Sequence, residues 1–211
     1  MAEKWMNIVS PESMGVSSRK ILAFLRSIDE ARCCMHGFCI LRHGQIIAEG
    51  YYRPFSKNRP HRMYSSSKSI TALAVGLLAD EGKIRLEDSI CDYFKDRQPS
   101  QVHPWVMETT IRDMLCMATP FVTSPYEMID NPEHDWIRMT YECPPTHRAG
   151  QVFSYDTSVA MMLAALVEEQ SGMELMEYLR CRLAPLALSP EVGCVKVPDG
   201  RSSWGGSGVL C

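Results

Sequence analysis

Length, composition and charge narrow the class of protein, since 211 residues suffice for one large domain or two small domains with a real core. Apolar residues make up 45% and charged residues 22% of the chain, which is ordinary for a soluble globular protein. The net charge of −3 gives no reason to expect nucleic acid or an anionic membrane surface as a partner, and no apolar run approaches the length of a membrane span.

The N-terminal part of the chain predicts one helix and one β-hairpin. Residues 17–31 have an amphipathic helical pattern. Residues 36–55 hold two β-rich runs around Arg42-His43-Gly44-Gln45, a turn in which glycine occupies a position that needs positive φ. Pro54 and Pro60 bound the loop that follows.

A longer helix is predicted over residues 63–82, MYSSSKSITALAVGLLADEG. Apolar residues recur there at the spacing of a helix packed against a core, namely at Ile70, Leu73, Ala74, Leu77 and Leu78. Gly82 supplies a C-terminal stop, and the serines upstream supply N-cap chemistry.

The remaining segments predict shorter helices joined by irregular chain. Residues 83–94 read as a loop and a short helix, and Thr110 with Asp113 forms a capping-box-like helix start. Residues 119–150 should be irregular, with a short helical piece near Trp136. Two apolar helices are predicted beyond it, over 158–172 and over 173–188 with a break at Pro185, before a glycine-rich tail.

The helix over 63–82 opens with a Ser-x-x-Lys pattern. Residues three or four apart share a helix face, so Lys68 faces Ser65 and not its serine neighbours. Lost solvation beside a core favours a neutral amine, which can take a proton from the serine hydroxyl. The helix N-terminus favours the negative charge that develops on the attacking oxygen. The pattern therefore predicts Ser65 as a nucleophile and Lys68 as its proton partner.

The same pattern also occurs at Ser17 and Lys20, where Ser17 is well placed as a plain N-cap. A chain of this length should show about one such match by chance. The pattern alone therefore leaves a catalytic and a structural interpretation open.

The cysteines and the N-terminus indicate a compartment. The start, MAEKWMNIVSPESMG, has no apolar segment of the kind that a signal peptide needs. Nine cysteines without an export signal are typical of reduced thiols in a cytosol. Two groups lie close together in sequence, Cys33, Cys34 and His36 and then Glu133, His134 and Asp135, but neither has the ligand spacing of a zinc site. We predict a cytoplasmic protein that uses no metal and no cofactor.

The stretch AGQVFSYDTSVAMMLAALVEEQSG, residues 149–172, decides between the two interpretations because it places Tyr155 in a turn ahead of a buried helix. Together with other segments it resembles the superfamily of serine β-lactamases, penicillin-binding proteins and esterases, especially the class C-like serine hydrolases. The segments that match in order are ILRHGQIIAEGYYRPF, YSSSKSITALAVGLLADEGKIRLEDSICDYF, TTIRDMLCMAT, FSYDTS and WGGSGVLC. The last of these resembles the start of a later helix.

The resemblance implies roles for four residues. Ser65 would be the acylated nucleophile, with its backbone N–H as one oxyanion donor, and Lys68 its proton partner. Tyr155 would be a second general acid or base, its pKa lowered by the nearby ammonium. The alternative for Tyr155 is a buried core tyrosine with a satisfied hydroxyl. Thr157 stands where the family has asparagine, and would contact the substrate.

The resemblance also implies the fold, an α+β, β-lactamase/DD-peptidase-like architecture with an antiparallel sheet, flanking helices and a mostly helical domain. We expect residues 1–62 to be the N-terminal part of the α/β domain, 63–190 the helical domain and 191–211 a truncated return to the α/β domain. The family's third motif, a strand with His-x-Gly or Lys-Thr-Gly, has no match, because HRAG at 147–150 has the wrong spacing and precedes the tyrosine. We therefore expect a partial catalytic unit with weak or no turnover, which self-associates or needs a C-terminal segment.

Three functions follow from these observations. The first is a serine hydrolase that cleaves a small ester or amide through an acyl-enzyme. The second is a β-lactamase or D-Ala-D-Ala peptidase, which is disfavoured because those enzymes act outside the cytoplasm and because Thr157 replaces asparagine. The third is an inactive relative that binds a ligand or a partner protein.

Overall fold

The computed structural model describes residues 6–125, 135–186, 188, 191–194 and 209–210. The chain divides into two compact units, residues 1–60 and residues 61–211. The predicted boundaries at 62 and 190 stay a prediction.

The N-terminal unit contains the predicted helix, α1 at Ser18–Glu30, and the predicted hairpin. Ser17 occupies the N-cap position of α1, but its side chain makes no capping bond. Instead the carboxylate of Glu12 accepts the N–H of Ser18 at 2.8 Å. Ser17 therefore lies at the predicted N-cap position, although its side chain does not cap the helix.

The hairpin pairs β1, Gly37–Arg42, with β2, Gln45–Tyr51, in antiparallel register. His43 and Gly44 both have positive φ, 48° and 73°, as the tightest hairpin turns require. Residues 7–9 also pair with β2, since the N–H of Val9 donates to Ile46 and the N–H of Ile46 donates to Asn7, both at 2.9 Å. This short parallel bridge adds to the two strands that the sequence pattern predicted.

The second unit is mostly helical. Its helices are α2 at Ser67–Asp80, α3 at Pro104–Met107, α4 at Ile111–Leu115, α5 at Trp136–Glu142, α6 at Thr157–Ser171 and α7 at Leu175–Arg182. A short antiparallel pair joins β3, Gly193–Cys194, to β4, Val209–Leu210. The predicted capping box at α4 is confirmed, and Gly172 ends α6 with a φ of 69°.

Helix α6 forms the centre of this unit, with every residue from Ser158 to Val167 buried. Helix α2 packs beside it, with Ser67, Thr71, Ala74, Val75 and Leu78 on its buried face. Leu73, which the apolar stripe placed in the core, is instead 48% exposed. Helix α2 is apolar on nearly all sides, so its sequence pattern does not single out the face that α6 covers.

Candidate active site

Ser65 lies in a short 3-10 turn, Tyr64–Ser66, that leads directly into α2. Its side chain is exposed. The preceding residue, Tyr64, has a φ of 46°, which is uncommon for an aromatic residue and turns the chain sharply before Ser65. Because Ser65 lies in the first turn, its backbone N–H has no acceptor within the helix, which leaves it available to an oxyanion.

Lys68 lies one turn further along the same face. Its Nζ donates a hydrogen bond to Oγ of Ser65 at 3.2 Å. The contact that the Ser-x-x-Lys spacing predicted is confirmed. No such bond joins the side chains of Ser17 and Lys20, so the second copy of the pattern has no matching geometry.

The N-terminus of α6 completes the site. Lys68 Nζ also donates to Oγ1 of Thr157 at 3.2 Å and lies 4.9 Å from the centre of the Tyr155 ring. Tyr155 is 56% exposed, so its interpretation as a buried core tyrosine is wrong. The structure thus brings together all four of the predicted site residues, namely Ser65, Lys68, Tyr155 and Thr157.

Neighbouring hydrogen-bond donors and a positive charge lower the pKa of Tyr155. The hydrogen bond from the Ser65 hydroxyl lowers the pKa of Tyr155, and the hydrogen bond and positive charge of Lys68 lower it further. Both donors favour the phenolate, because each is stronger towards a charged oxygen than towards a neutral one.

Asp156 is a residue of the site that the sequence interpretation missed. Its carboxylate is 4% exposed and caps α6 by accepting the N–H of Ser158 at 2.8 Å. It also accepts the hydroxyls of Ser158, at 2.7 Å, and of Ser124. These bonds fix the backbone between Tyr155 and Thr157. An aspartate directly before an apolar helix is a known N-cap signal, so the capping could have been predicted, though the contact with Ser124 could not.

Comparison with known proteins assigns the family. The family model described as Beta-lactamase matches residues 33–204, which is most of the chain. The chain belongs to this family. The resemblance drawn from the motifs is confirmed at that level.

Individual known proteins are similar to this chain in sequence or in structure. A 6-aminohexanoate-dimer hydrolase of Paenarthrobacter ureafaciens is 35% identical over 60 residues, 28% of this chain and 15% of that protein. The structure of a putative 6-aminohexanoate-dimer hydrolase from Bacillus anthracis is 19% identical with a TM-score of 0.69, covering 89% of this chain and 53% of that one. A β-lactamase/D-alanine carboxypeptidase from Pseudomonas syringae is 17% identical with a TM-score of 0.66, covering 91% of this chain and 61% of that one. The predicted β-lactamase/DD-peptidase-like fold is confirmed, and the chain spans about half the length of the first of these structures.

The loop before Tyr155 is held by backbone hydrogen bonds to the segment after α4. The N–H of Ser154 donates to the carbonyl of Met117, and the N–H of Gly150 donates to that of Ala118, both at 2.8 Å. Met117 itself has a φ of 54°. The segment after α4 therefore fixes the position of the loop directly before Tyr155.

The start of α2 is held by a residue far along the chain. The N–H of Val209 donates to Oγ of Ser67 at 3.1 Å, and the carbonyl of Val209 accepts the N–H of Met63 at 2.8 Å. Ser67 and Val209 are both fully buried. Of the tail that resembled the start of a helix, residues 204–208 and 211 lie outside the described residues, while Val209–Leu210 form strand β4 instead.

Two functional features are absent from the part of the chain that the structure describes. No three His, Cys, Asp or Glu side chains there converge as a metal-binding group. None of the helices described is long and apolar enough to span a membrane.

Proposed function

We propose that the protein is a serine hydrolase that cleaves a small ester or amide through an acyl-enzyme on Ser65. The observation that carries this proposal is the position of Lys68 Nζ, 3.2 Å from both Ser65 Oγ and Thr157 Oγ1, beside a tyrosine whose pKa is lowered. A nucleophile within hydrogen-bond reach of a proton-handling group is the arrangement that acyl transfer needs.

In acylation, Oγ of Ser65 attacks the carbonyl carbon while its proton passes to the pair formed by Tyr155 and Lys68. The Oγ–C bond forms, the backbone N–H of Ser65 donates to the resulting oxyanion, and the bond to the leaving alcohol or amine then breaks. The same pair returns the proton to the leaving group. Tyr155 is the more exposed member of the pair, so the departing group leaves on its side.

In deacylation, the pair takes a proton from water, and the resulting hydroxide attacks the acyl carbon. The C–Oγ bond breaks and Ser65 recovers its proton, so the cycle consumes one water and needs no cofactor. General acid and base groups of this kind typically contribute rate factors of about 10² to 10⁴.

Thr157 has a role in this scheme beyond substrate contact. Its hydroxyl accepts a hydrogen bond from Lys68, which fixes the ammonium between the two helices. A threonine offers one hydroxyl where an asparagine would offer a carbonyl and an amide, so fewer polar contacts remain for a substrate. This difference favours a simple ester or amide over a penicillin-type substrate.

The proposed location is the cytoplasm, which is supported by the free thiols of seven described cysteines, namely Cys33, Cys34, Cys39, Cys91, Cys116, Cys143 and Cys181.

The test is covalent labelling of the chain with a fluorophosphonate probe, followed by peptide mapping and p-nitrophenyl acetate turnover. We expect the adduct on Ser65, its loss in Ser65→Ala and its retention in the matched control Ser66→Ala. Labelling of Ser66, Ser67 or Ser17 would contradict the assignment. The absence of any adduct would favour an inactive relative, and rapid nitrocefin turnover would favour a β-lactamase.

A further inference from the structure

A cavity of about 190 Å³ lies beside the candidate active site, between α2, α6 and the segment from α4 to Met117. Six of its eight lining residues are alanine, leucine or methionine. Lys68 and Ser69 are the polar exceptions. The capping and proton-transfer contacts described above make no use of this space.

The cavity adjoins the reacting atoms through Lys68. That residue forms part of the cavity wall, and its Nζ lies 3.2 Å from Oγ of Ser65. A carbonyl carbon attached to Ser65 would therefore carry its substituent within reach of the opening. The leaving group would point the other way, towards the exposed ring of Tyr155.

The size and lining of the cavity define what it can hold. An apolar cavity of about 150 Å³ is enough to bind benzene. The methionine and leucine side chains of the lining favour contact with an apolar group, and the methionines adapt to the shape of a bound group. Ala72 and Ala160, on facing helices, leave the space open because neither has a side chain beyond Cβ.

We propose that this cavity binds the acyl group of the substrate, and that the group is apolar and of the size of a benzoyl or a short branched alkanoyl. The inference rests on the proposed function and extends it from esters in general to a substrate class. Ala72 limits the size of this group, because it lines the cavity from α2, the helix that carries Lys68.

A binding experiment tests the cavity without any chemistry. Benzene is titrated into the Ser65→Ala chain carrying [methyl-¹³C]methionine, because Met114 and Met117 line the cavity. We expect shifts confined to these two methyl signals, and their loss in Ala72→Leu. The matched control is Gly76→Leu, four residues along the same helix, where an added Cβ has no atom from another part of the chain within 4 Å. Shifts spread over other methionines, or none at saturating benzene, would overturn the proposal.

An acylation experiment then tests the use of the cavity. The ratio of acylation rates for p-nitrophenyl benzoate and acetate should fall at least about tenfold in Ala72→Leu and stay unchanged in Gly76→Leu. Leu115→Ala enlarges the cavity and leaves α2 unchanged, so its effect does not depend on whether α2 accepts a larger side chain. It should shift the substrate preference of acylation towards a larger acyl group. Acylation with the same ratio in all variants would overturn the cavity assignment alone. No acylation of Ser65 by any ester would overturn the proposed function, and the acyl assignment with it.

Discussion

Lys68 Nζ lies 3.2 Å from Thr157 Oγ1, although 89 residues separate the two side chains in sequence. The bond joins the first turn of α2 to the first turn of α6. Through it, Lys68 is bound both to Ser65, just before α2, and to the first residue of α6. Groups from the starts of both helices therefore surround the Lys68 Nζ.

Replacing Tyr155 with phenylalanine should slow acylation by a factor of about 10² or more, because a general acid and base is lost. The fold should survive, since the ring is 56% exposed and only a hydroxyl is removed. Pre-steady-state release of nitrophenol measures the acylation rate. The matched control is Tyr64→Phe, which removes a hydroxyl from the similarly exposed ring of the residue before Ser65. Equal rates for the Tyr155→Phe variant and the parent would show that Tyr155 is a packing residue.

The acylation rate should rise with pH through the lowered pKa of Tyr155. The phenolate is the form that accepts the Ser65 proton, so activity is low below this pKa and reaches a plateau above it. The midpoint should lie below the ordinary tyrosine value of 10.0, because hydrogen bonds from Ser65 and Lys68 favour the charged form. Ultraviolet titration of Tyr155 in the Ser65→Ala variant should show a higher pKa than in the parent. An unchanged pKa in that variant would contradict the Ser65 contact.

Asp156 should prove to be a positioning residue. Asp156→Ala removes an N-cap, which typically costs about 1–2 kcal/mol of unfolding free energy. It also frees the segment between Tyr155 and Thr157, so acylation should fall as well. Asp135→Ala is the matched control because Asp135 caps another helix of the same unit, α5. Urea denaturation measures stability, and acylation is compared where both variants are folded. Equal acylation in the two variants would leave Asp156 with a structural role only.

Glu81 should make stability depend on pH in the acid range. Its carboxylate, at the C-terminal end of α2, accepts hydrogen bonds from Arg182 and, at 3.0 Å, from the hydroxyl of Tyr178 on α7. Chiefly the Arg182 bond lowers the pKa of Glu81 to about 2 from an ordinary 4.5. A lowered carboxyl pKa stabilises the fold fully above 4.5, and the contribution is lost as pH falls towards 2.

Urea denaturation between pH 6 and pH 2 tests this dependence, and Glu81→Gln should flatten it across that window. The control is Glu142→Gln, which removes an exposed pair with Arg138 within α5. The same slope in Glu81→Gln and in the parent would show that other carboxyls govern acid unfolding.

The cysteines should divide into reactive and protected groups. Burial raises the pKa of Cys91 and of Cys143 to about 11, so neither forms the reactive thiolate near neutral pH. The exposed thiols are Cys33, Cys34, Cys39, Cys116 and Cys181. Alkylation of the native protein at pH 8 should modify this exposed group and spare the two buried thiols until denaturant is added. Rapid modification of Cys91 in the native state would contradict its burial.

Local signals in the sequence determined much of the second unit. Thr110 and Asp113 begin α4, Gly172 ends α6, and three-residue spacing on one helix brings Lys68 to Ser65. Such features depend on residues within one turn of each other, so a sequence pattern contains all that is needed to predict them. The position of Tyr155 was predicted from the family resemblance, and not from any local rule.

Tertiary structure decided the contacts that link distant segments. It formed the hydrogen bonds between Lys68 and Thr157 and between Ser124 and Asp156. It also bonded Val209 to Ser67, although 142 residues separate the two in sequence. It also chose the buried face of α2 and left Leu73 exposed. Each of these outcomes depends on which surfaces pack together, and an apolar helix offers several such surfaces of similar burial energy. Periodicity within a segment therefore predicts that a helix packs against a core. The element that it packs against, and the helix face that is buried, are determined only when the whole unit folds.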